Sequence, residues 1–301
     1  MNENAIIVRA GRHSLHPAWL QGGSPNFDLH VVAYEPLPEE LLAGAAGTHL
    51  LPGTKVDGWR RFFTEHAADM QRYSRIALLD DDLMCTAQDL NRCFEIGRQE
   101  GLALWQPALS WNSYFSHAIT LRNPLFRLRY TNFIEMMCPF FTAEHLQKTL
   151  PVFDLGIELG VDQLWCRTRD QAARAYGVID EVTVVHTRKV GQFRAKQGFV
   201  GRDNDYRDYI ARIQREVGYR AEPLVSHAGI LRNGRTVGSR HIMSMLALAP
   251  LAGARQSVNR SWFPRAILNH SARCLLTRDA SRQIDLSSLR HAHQHLGQED
   301  P

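Results

Sequence analysis

Paired cysteines are missing from this chain. The five cysteines, Cys85, Cys93, Cys138, Cys166 and Cys274, are odd in number and scattered, and no Cys-x-x-Cys occurs. That excludes a disulfide framework and argues against structural zinc. A strong charge of one sign is also missing: 35 Lys and Arg against 31 Asp and Glu leave +4. Mild basicity suits phosphate-bearing ligands and falls short of nucleic-acid binding, for which no aromatic–basic motif is present. The longest uncharged apolar run, about residues 242–254, is too short to span a bilayer. No internal repeat is visible. No signal-peptide core precedes the first strand, so a cytoplasmic location is expected.

What is present is a chain of 301 residues with 44% hydrophobic content, enough for one large core. It is organised around Arg75-Ile76-Ala77-Leu78-Leu79-Asp80-Asp81-Asp82-Leu83. Ile76 to Leu79 read as a buried strand of a parallel sheet. Three carboxylates follow, where open α/β sheets bind ligands. Adjacent carboxylates repel, and burial raises the cost. A divalent cation, Mg²⁺ or Mn²⁺, is the simplest compensation, and both take carboxylate and phosphate oxygens. The plainer alternative is an acidic turn in which Asp81 or Asp82 caps the next helix.

Strands are expected at Ala5–Val8, Phe27–Tyr34, Thr48–Leu51, Leu102–Pro107, Phe133–Phe141, Gly177–Asp180 and Val182–His186. Helical spacing predicts helices over Trp59–Tyr73, over Thr86–Glu100 with Thr86 as N-cap, from Thr142 to about Leu150, and from Val161 to about Ala175. Residues 192–220 read as charged helix and 221–240 as loop. Residues 241–280 read as two helices broken near Pro250 and Pro264, ahead of a polar tail after about 280. The fold class is therefore α/β, a mixed Rossmann-like sheet flanked by helices over 1–191 with a mainly helical extension over 192–301.

The order of motifs resembles the DUF707 family, itself similar to the GT-A nucleotide-sugar glycosyltransferases. The resemblance covers roughly residues 5–191. It rests on Leu78-Leu79-Asp80-Asp81-Asp82-Leu83, Gly101 to Leu109, His117 to Arg122, Phe133 to Phe141, Leu159-Gly160-Val161-Asp162, and Tyr176 to Asp180 with Val185-His186. It implies a GT-A-like fold and a metal-dependent transfer of sugar from a nucleoside-diphosphate sugar to a glycan or lipid-linked acceptor. Asp80 and Asp82 match the Asp-x-Asp that holds the metal on the donor diphosphate, with Asp81 between them. Asp80 also has the alternative of contacting the ribose or a metal-bound water. His186 matches a late metal ligand; a structural histidine at a strand end is the alternative.

Asp162 matches the general base of inverting enzymes, and it also suits a helix N-cap. Glu135 either orients acceptor or donor sugar or is a strand-edge carboxylate. Lys55, Arg60 and Arg61 precede the central strand and can pair with phosphate, though surface solvation is the commoner fate. Arg188 and Lys189 follow His186 and can neutralise the diphosphate. Asp154 and Glu158 are further acids on the expected acceptor side. Trp111 and Tyr114 are the aromatics of a polar loop suited to stacking on sugar, with core packing the commoner fate of aromatics at this density.

Residues 251–290 carry seven arginines against Asp279 and Asp285, with apolar residues between them. Two arrangements fit: peripheral contact with an anionic inner-membrane surface, or apolar residues packed on the core with arginine in solvent. Two other functions compete with sugar transfer. One is a non-catalytic GT-A-like protein that binds nucleotide or glycan. The other is an Asp-x-Asp phosphotransferase of the haloacid-dehalogenase type, in which the motif usually lies near the N-terminus and Thr or Val stands where this chain has Met84.

Overall fold

The computed structural model describes residues 2–167, 174–189, 206–219 and 221–277. The chain begins with β1 (Asn4–Ala10), β2 (Phe27–Ala33) and β3 (Gly47–Leu50), then α1 (Lys55–Glu65) and the short α2 (Ala67–Met70). β4 (Arg75–Asp80) is the central strand. A two-residue β5 (Leu83–Met84) follows the acids, then α3 (Ala87–Gln99) and β6 (Leu104–Leu109). Next come β7 (Phe126–Thr131), β8 (Phe140–Thr142), α4 (Ala143–Thr149) and the long β9 (Tyr176–His186). The remainder supplies α5 (Tyr206–Val217), β10 (Ser226–Leu231), β11 (Thr236–Val237), α6 (Arg240–Leu246) and α7 (Trp262–Leu276).

The sheet is mixed, in the order β11-β10-β7-β9-β6-β8-β4-β1-β2-β3, with β5 paired to β9 beside it. β3, β2, β1 and β4 run parallel, and so do β6 and β9. β8 is inserted antiparallel between β4 and β6. The C-terminal ends of β1, β4, β6 and β9 therefore share one edge. Period-two alternation divides the core between the two faces. Ile76 and Leu78 join Trp59, Phe62, Phe141 and Trp165 on one side. Ala77 and Leu79 join Trp19, Phe94, Trp105 and Phe140 on the other. Helices cover both faces, as an α/β sheet with two apolar faces requires. Gly97 of α3 faces the Trp105 indole, where a Cβ would collide with the ring.

Several local expectations need correction. Residues 133–139 are loop, and only Phe140–Thr142 pair as a strand, so Glu135 is not on a strand. The apolar character of Phe133, Ile134, Met137 and Cys138 reflects burial of that loop. In place of a helix from Val161, a single 3-10 turn spans Val161–Gln163, and residues 168–173 lie outside the described set. Gly177–Asp180 and Val182–His186 are one strand, with a register shift opposite Pro107/Ala108. The segment read as loop at 221–240 holds β10 and β11, and β10 extends the main sheet beside β7. Pro264 sits in the first turn of α7, where its missing N–H costs nothing, so it does not break that helix. The polar tail lies outside the described residues.

Candidate functional site

The acids at the end of β4 form a turn fixed from outside. The Asp81 carbonyl accepts from Leu15 N–H at 2.7 Å, and the Leu83 carbonyl from the Trp19 indole at 2.8 Å. The Asp82 carbonyl accepts from Thr187 twice, N–H at 3.1 Å and Oγ1 at 2.8 Å. The Asp80 N–H donates to Met137 O at 2.9 Å. Neither Asp81 nor Asp82 caps the next helix. Thr86 does so in a reciprocal capping box with Asp89. A turn with its backbone groups taken by distant partners is preorganised for its side chains to act.

The three carboxylates have different partners. Asp80 Oδ1 lies 2.5 Å from Lys55 Nζ. Lys55 also donates to the Met136 carbonyl at 3.0 Å. Burial pushes the Asp80 pKa up, and the Lys55 ammonium opposes that shift. Asp81 accepts from Gly11 N–H at 2.8 Å and from Arg188 Nη1 at 2.9 Å. Burial raises its pKa to about 6 against both of those contacts. Asp82 Oδ2 faces His186 Nε2 at 3.1 Å, while Asp82 Oδ1 is buried without a hydrogen-bond partner.

The pairing of β5 with β9 builds the Asp82–His186 contact. Leu83 is in register with His186, which sets the preceding aspartate beside the imidazole. His186 Nδ1 lies 2.8 Å from the Tyr114 carbonyl, so Nδ1 carries a proton and donates to it. In neutral His186 that leaves the Nε2 lone pair facing a carboxylate oxygen. Two acceptors in contact need a proton or a cation between them. Burial alone lowers the His186 pKa; the hydrogen bond and charge of Asp82 outweigh it and the net shift is upward.

Glu135 and Asp162 complete the site. Met136 N–H reaches Asp162 Oδ2 at 3.4 Å, and Asp162 Oδ1 has no partner. Burial raises the Asp162 pKa to about 6, opposed by the Met136 N–H. Glu135 Oε2 is likewise buried and unpartnered. Its pKa is pushed up to about 8, first by burial and then by the Asp162 charge. Both carboxyls are thus pushed toward the protonated form, Glu135 further than Asp162.

The structure thus brings together Lys55, Asp80, Asp81, Asp82, Glu135, Asp162, His186 and Arg188. Others fall elsewhere. Arg60 pairs with Asp57 at 2.8 Å, and Arg61 donates to the Pro52 carbonyl at 3.0 Å. Lys189 and Asp154 are exposed. The Trp111 indole N–H is tied to Arg122 O at 2.8 Å and its ring packs against Gly253. Tyr114 serves through its carbonyl. Glu158 caps α1, accepting from Val56 N–H at 2.9 Å, Asp57 N–H at 3.1 Å and Thr54 Oγ1 at 2.5 Å. It anchors the helix that starts with Lys55. Sequence reasoning missed Gln106, Ser113 and Gly11. Buried Gln106 accepts from Glu135 N–H at 2.7 Å. Ser113 Oγ accepts from His186 N–H at 3.1 Å. These contacts span 29 to 73 positions, and no local pattern marks them.

The donor set fits a divalent cation. Asp82 Oδ2 and His186 Nε2 are 3.1 Å apart, the distance of a direct hydrogen bond; with the unpartnered Asp82 Oδ1 they are the carboxylate and imidazole donors that would hold Mn²⁺ or Mg²⁺. Among the described residues no group of three or more His, Cys, Asp or Glu side chains is placed to hold a metal ion. A metal held by a protein pair and completed by substrate phosphate and water needs no such group.

No family model matches the chain, and no curated protein matches it. Among solved structures, the crystal structure of A197 from STIV is similar at 11% identity over 79% of this chain and 94% of that one, with a TM-score of 0.36. A likeness of that degree carries no functional argument. No helix among the described residues is long and apolar enough to cross a membrane.

Proposed function

We propose that this protein is a metal-dependent glycosyltransferase of the GT-A type that uses a nucleoside-diphosphate sugar. The observation that carries the reading is the set of three buried carboxyl oxygens without partners, on Asp82, Glu135 and Asp162, at one sheet edge. Buried polar atoms are normally satisfied, so three free carboxyl oxygens at one edge call for water, an ion or a ligand as their partner. Asp82 and His186 would hold Mn²⁺ or Mg²⁺, with Asp80 nearby. When bound, the cation neutralises charge on the leaving diphosphate. Lys55 and Arg188 supply fixed positive charge on the same side. Asp162, ionised near neutral pH, accepts the acceptor hydroxyl's proton as that oxygen attacks the anomeric carbon, which gives inversion. Glu135, with its free oxygen at the same edge, orients a sugar.

This predicts that Asp162→Asn lowers turnover by about 10²–10⁴-fold while donor binding stays within a factor of a few. The check is donor consumption with a panel of nucleotide sugars and simple glycan acceptors. Equal losses of turnover and donor affinity would remove Asp162 from the role of base.

One observation favours a second reading, a non-catalytic nucleotide- or glycan-binding protein. Each acid of the triplet already has a cationic or protonatable neighbour: Lys55 for Asp80, Arg188 for Asp81 and His186 for Asp82. In that case ligand binds without metal and no donor is consumed.

A further inference from the structure

The outer face of the C-terminal helices forms a surface that the chemistry at Asp82 does not use. Residues 240–277 hold five arginines, at 240, 255, 260, 265 and 273, and no Asp or Glu. The same stretch carries seven of the ten exposed large apolar side chains among the described residues, with Leu276 75% and Met245 72% exposed. Large apolar residues scattered singly over a surface are ordinary; their concentration on one basic segment is not.

The helices show how the concentration arises. α7 buries Phe263, Ile267, His270 and Cys274 along one stripe. Turned outward are Trp262, Leu268, Leu275 and Leu276, with Arg265 and Arg273 among them. α6 likewise buries Met243 and exposes Ile242 and Met245. Ser244 Oγ meets Ser271 Oγ at 3.1 Å, and Arg240 donates to the Leu275 carbonyl at 3.3 Å, so the two helices adjoin. An amphipathic helix in a water-soluble domain normally turns a polar face outward; these turn outward leucine, methionine, tryptophan and arginine. A symmetric contact between two copies would set arginine against arginine, with no acid from the same face among the described residues. A lipid surface takes both components, phosphate for the guanidinium groups and acyl chains for the apolar side chains. Trp262 suits the boundary between them.

We infer that the α6–α7 face docks the protein on an anionic lipid surface. The same layer backs the loop that holds His186, through the Phe115–Phe263 ring contact at 5.8 Å.

The test uses the full chain sedimented with vesicles of phosphatidylcholine alone or mixed with phosphatidylglycerol. The protein should pellet with the anionic vesicles and be released by salt. Arg260→Gln with Arg265→Gln should lower partitioning about 25-fold, at about fivefold per arginine near the surface. Trp262→Ser, Leu268→Ser and Leu276→Ser combined should abolish pelleting, with a thermal melt like wild type. If that triple variant does not fold, the arginine pair carries the test. The inference is overturned if the protein stays in the supernatant, if it pellets equally with neutral vesicles, or if the variants pellet as wild type does. It is also overturned if light scattering finds a dimer that the triple substitution dissociates.

Discussion

Asp180 and Asp162 are both deeply buried carboxylates, and their surroundings differ in one respect. Asp180 is saturated. Its Oδ1 accepts from Asn123 N–H at 2.7 Å and Arg129 Nη2 at 2.9 Å, and its Oδ2 from Arg129 Nε at 2.7 Å. Arg129 directs two of its three remaining N–H donors to the Ile119 and Leu121 carbonyls. Asp162, Glu135 and Asp82 each retain a buried oxygen with no partner. Both clusters are costly to bury, yet only one is complete. Completion is what a structural ion pair needs to offset desolvation; incompleteness at a sheet edge leaves the other cluster open to a ligand.

The largest effect is expected from breaking the complete cluster. Arg129→Ala leaves Asp180 charged and unpaired, and should cost about 3–5 kcal/mol in urea unfolding. A loss below about 1 kcal/mol would mean that the pair is not the buried bridge it is taken for.

The incomplete cluster should respond to pH in metal-free buffer. The Glu135 pKa rises from 4.5 to about 8 on folding, so the folded state holds this proton more tightly than the unfolded chain. Its contribution is fully present below 4.5 and is lost as pH rises through about 8. At about 1.4 kcal/mol per pKa unit the loss amounts to a few kcal/mol. Glu135→Gln should flatten that slope and make the protein more stable than wild type at alkaline pH. An unchanged slope would place the titration elsewhere.

The smallest effect belongs to a cation outside both clusters. Arg60→Ala, which removes only the surface pair with Asp57, should change stability by no more than about 0.5 kcal/mol. Nucleotide binding should be unaltered when followed by calorimetry; a loss would bring Arg60 into the site.

How much of this was legible beforehand follows the range of each interaction. The central strand, the acids at its end and the Thr86 cap are local patterns, and they appear where periodicity and capping chemistry put them. The run Phe133–Phe141 misled because burial of a loop and burial of a strand leave the same apolar signature. β7 is absent from the expected strands although Phe126-Arg127-Leu128-Arg129-Tyr130 alternates with period two: two arginines in five residues read as solvent-facing, whereas Arg129 is a buried partner of Asp180. Glu158 had no local sign of its role, because it caps a helix 102 positions away. The contact between Asp82 and His186 depends on the two-residue pairing of β5 with β9, which no local propensity specifies.

The most direct measurement of the central claim is calorimetric titration of nucleoside diphosphates into the metal-free protein, with and without Mn²⁺, for wild type and Asp82→Ala. The site as built predicts that one nucleotide binds wild type only when Mn²⁺ is present, and that the variant loses this binding while keeping its melting temperature in metal-free buffer. Nucleotide binding that is equal with and without Mn²⁺, or unchanged in Asp82→Ala, would contradict it.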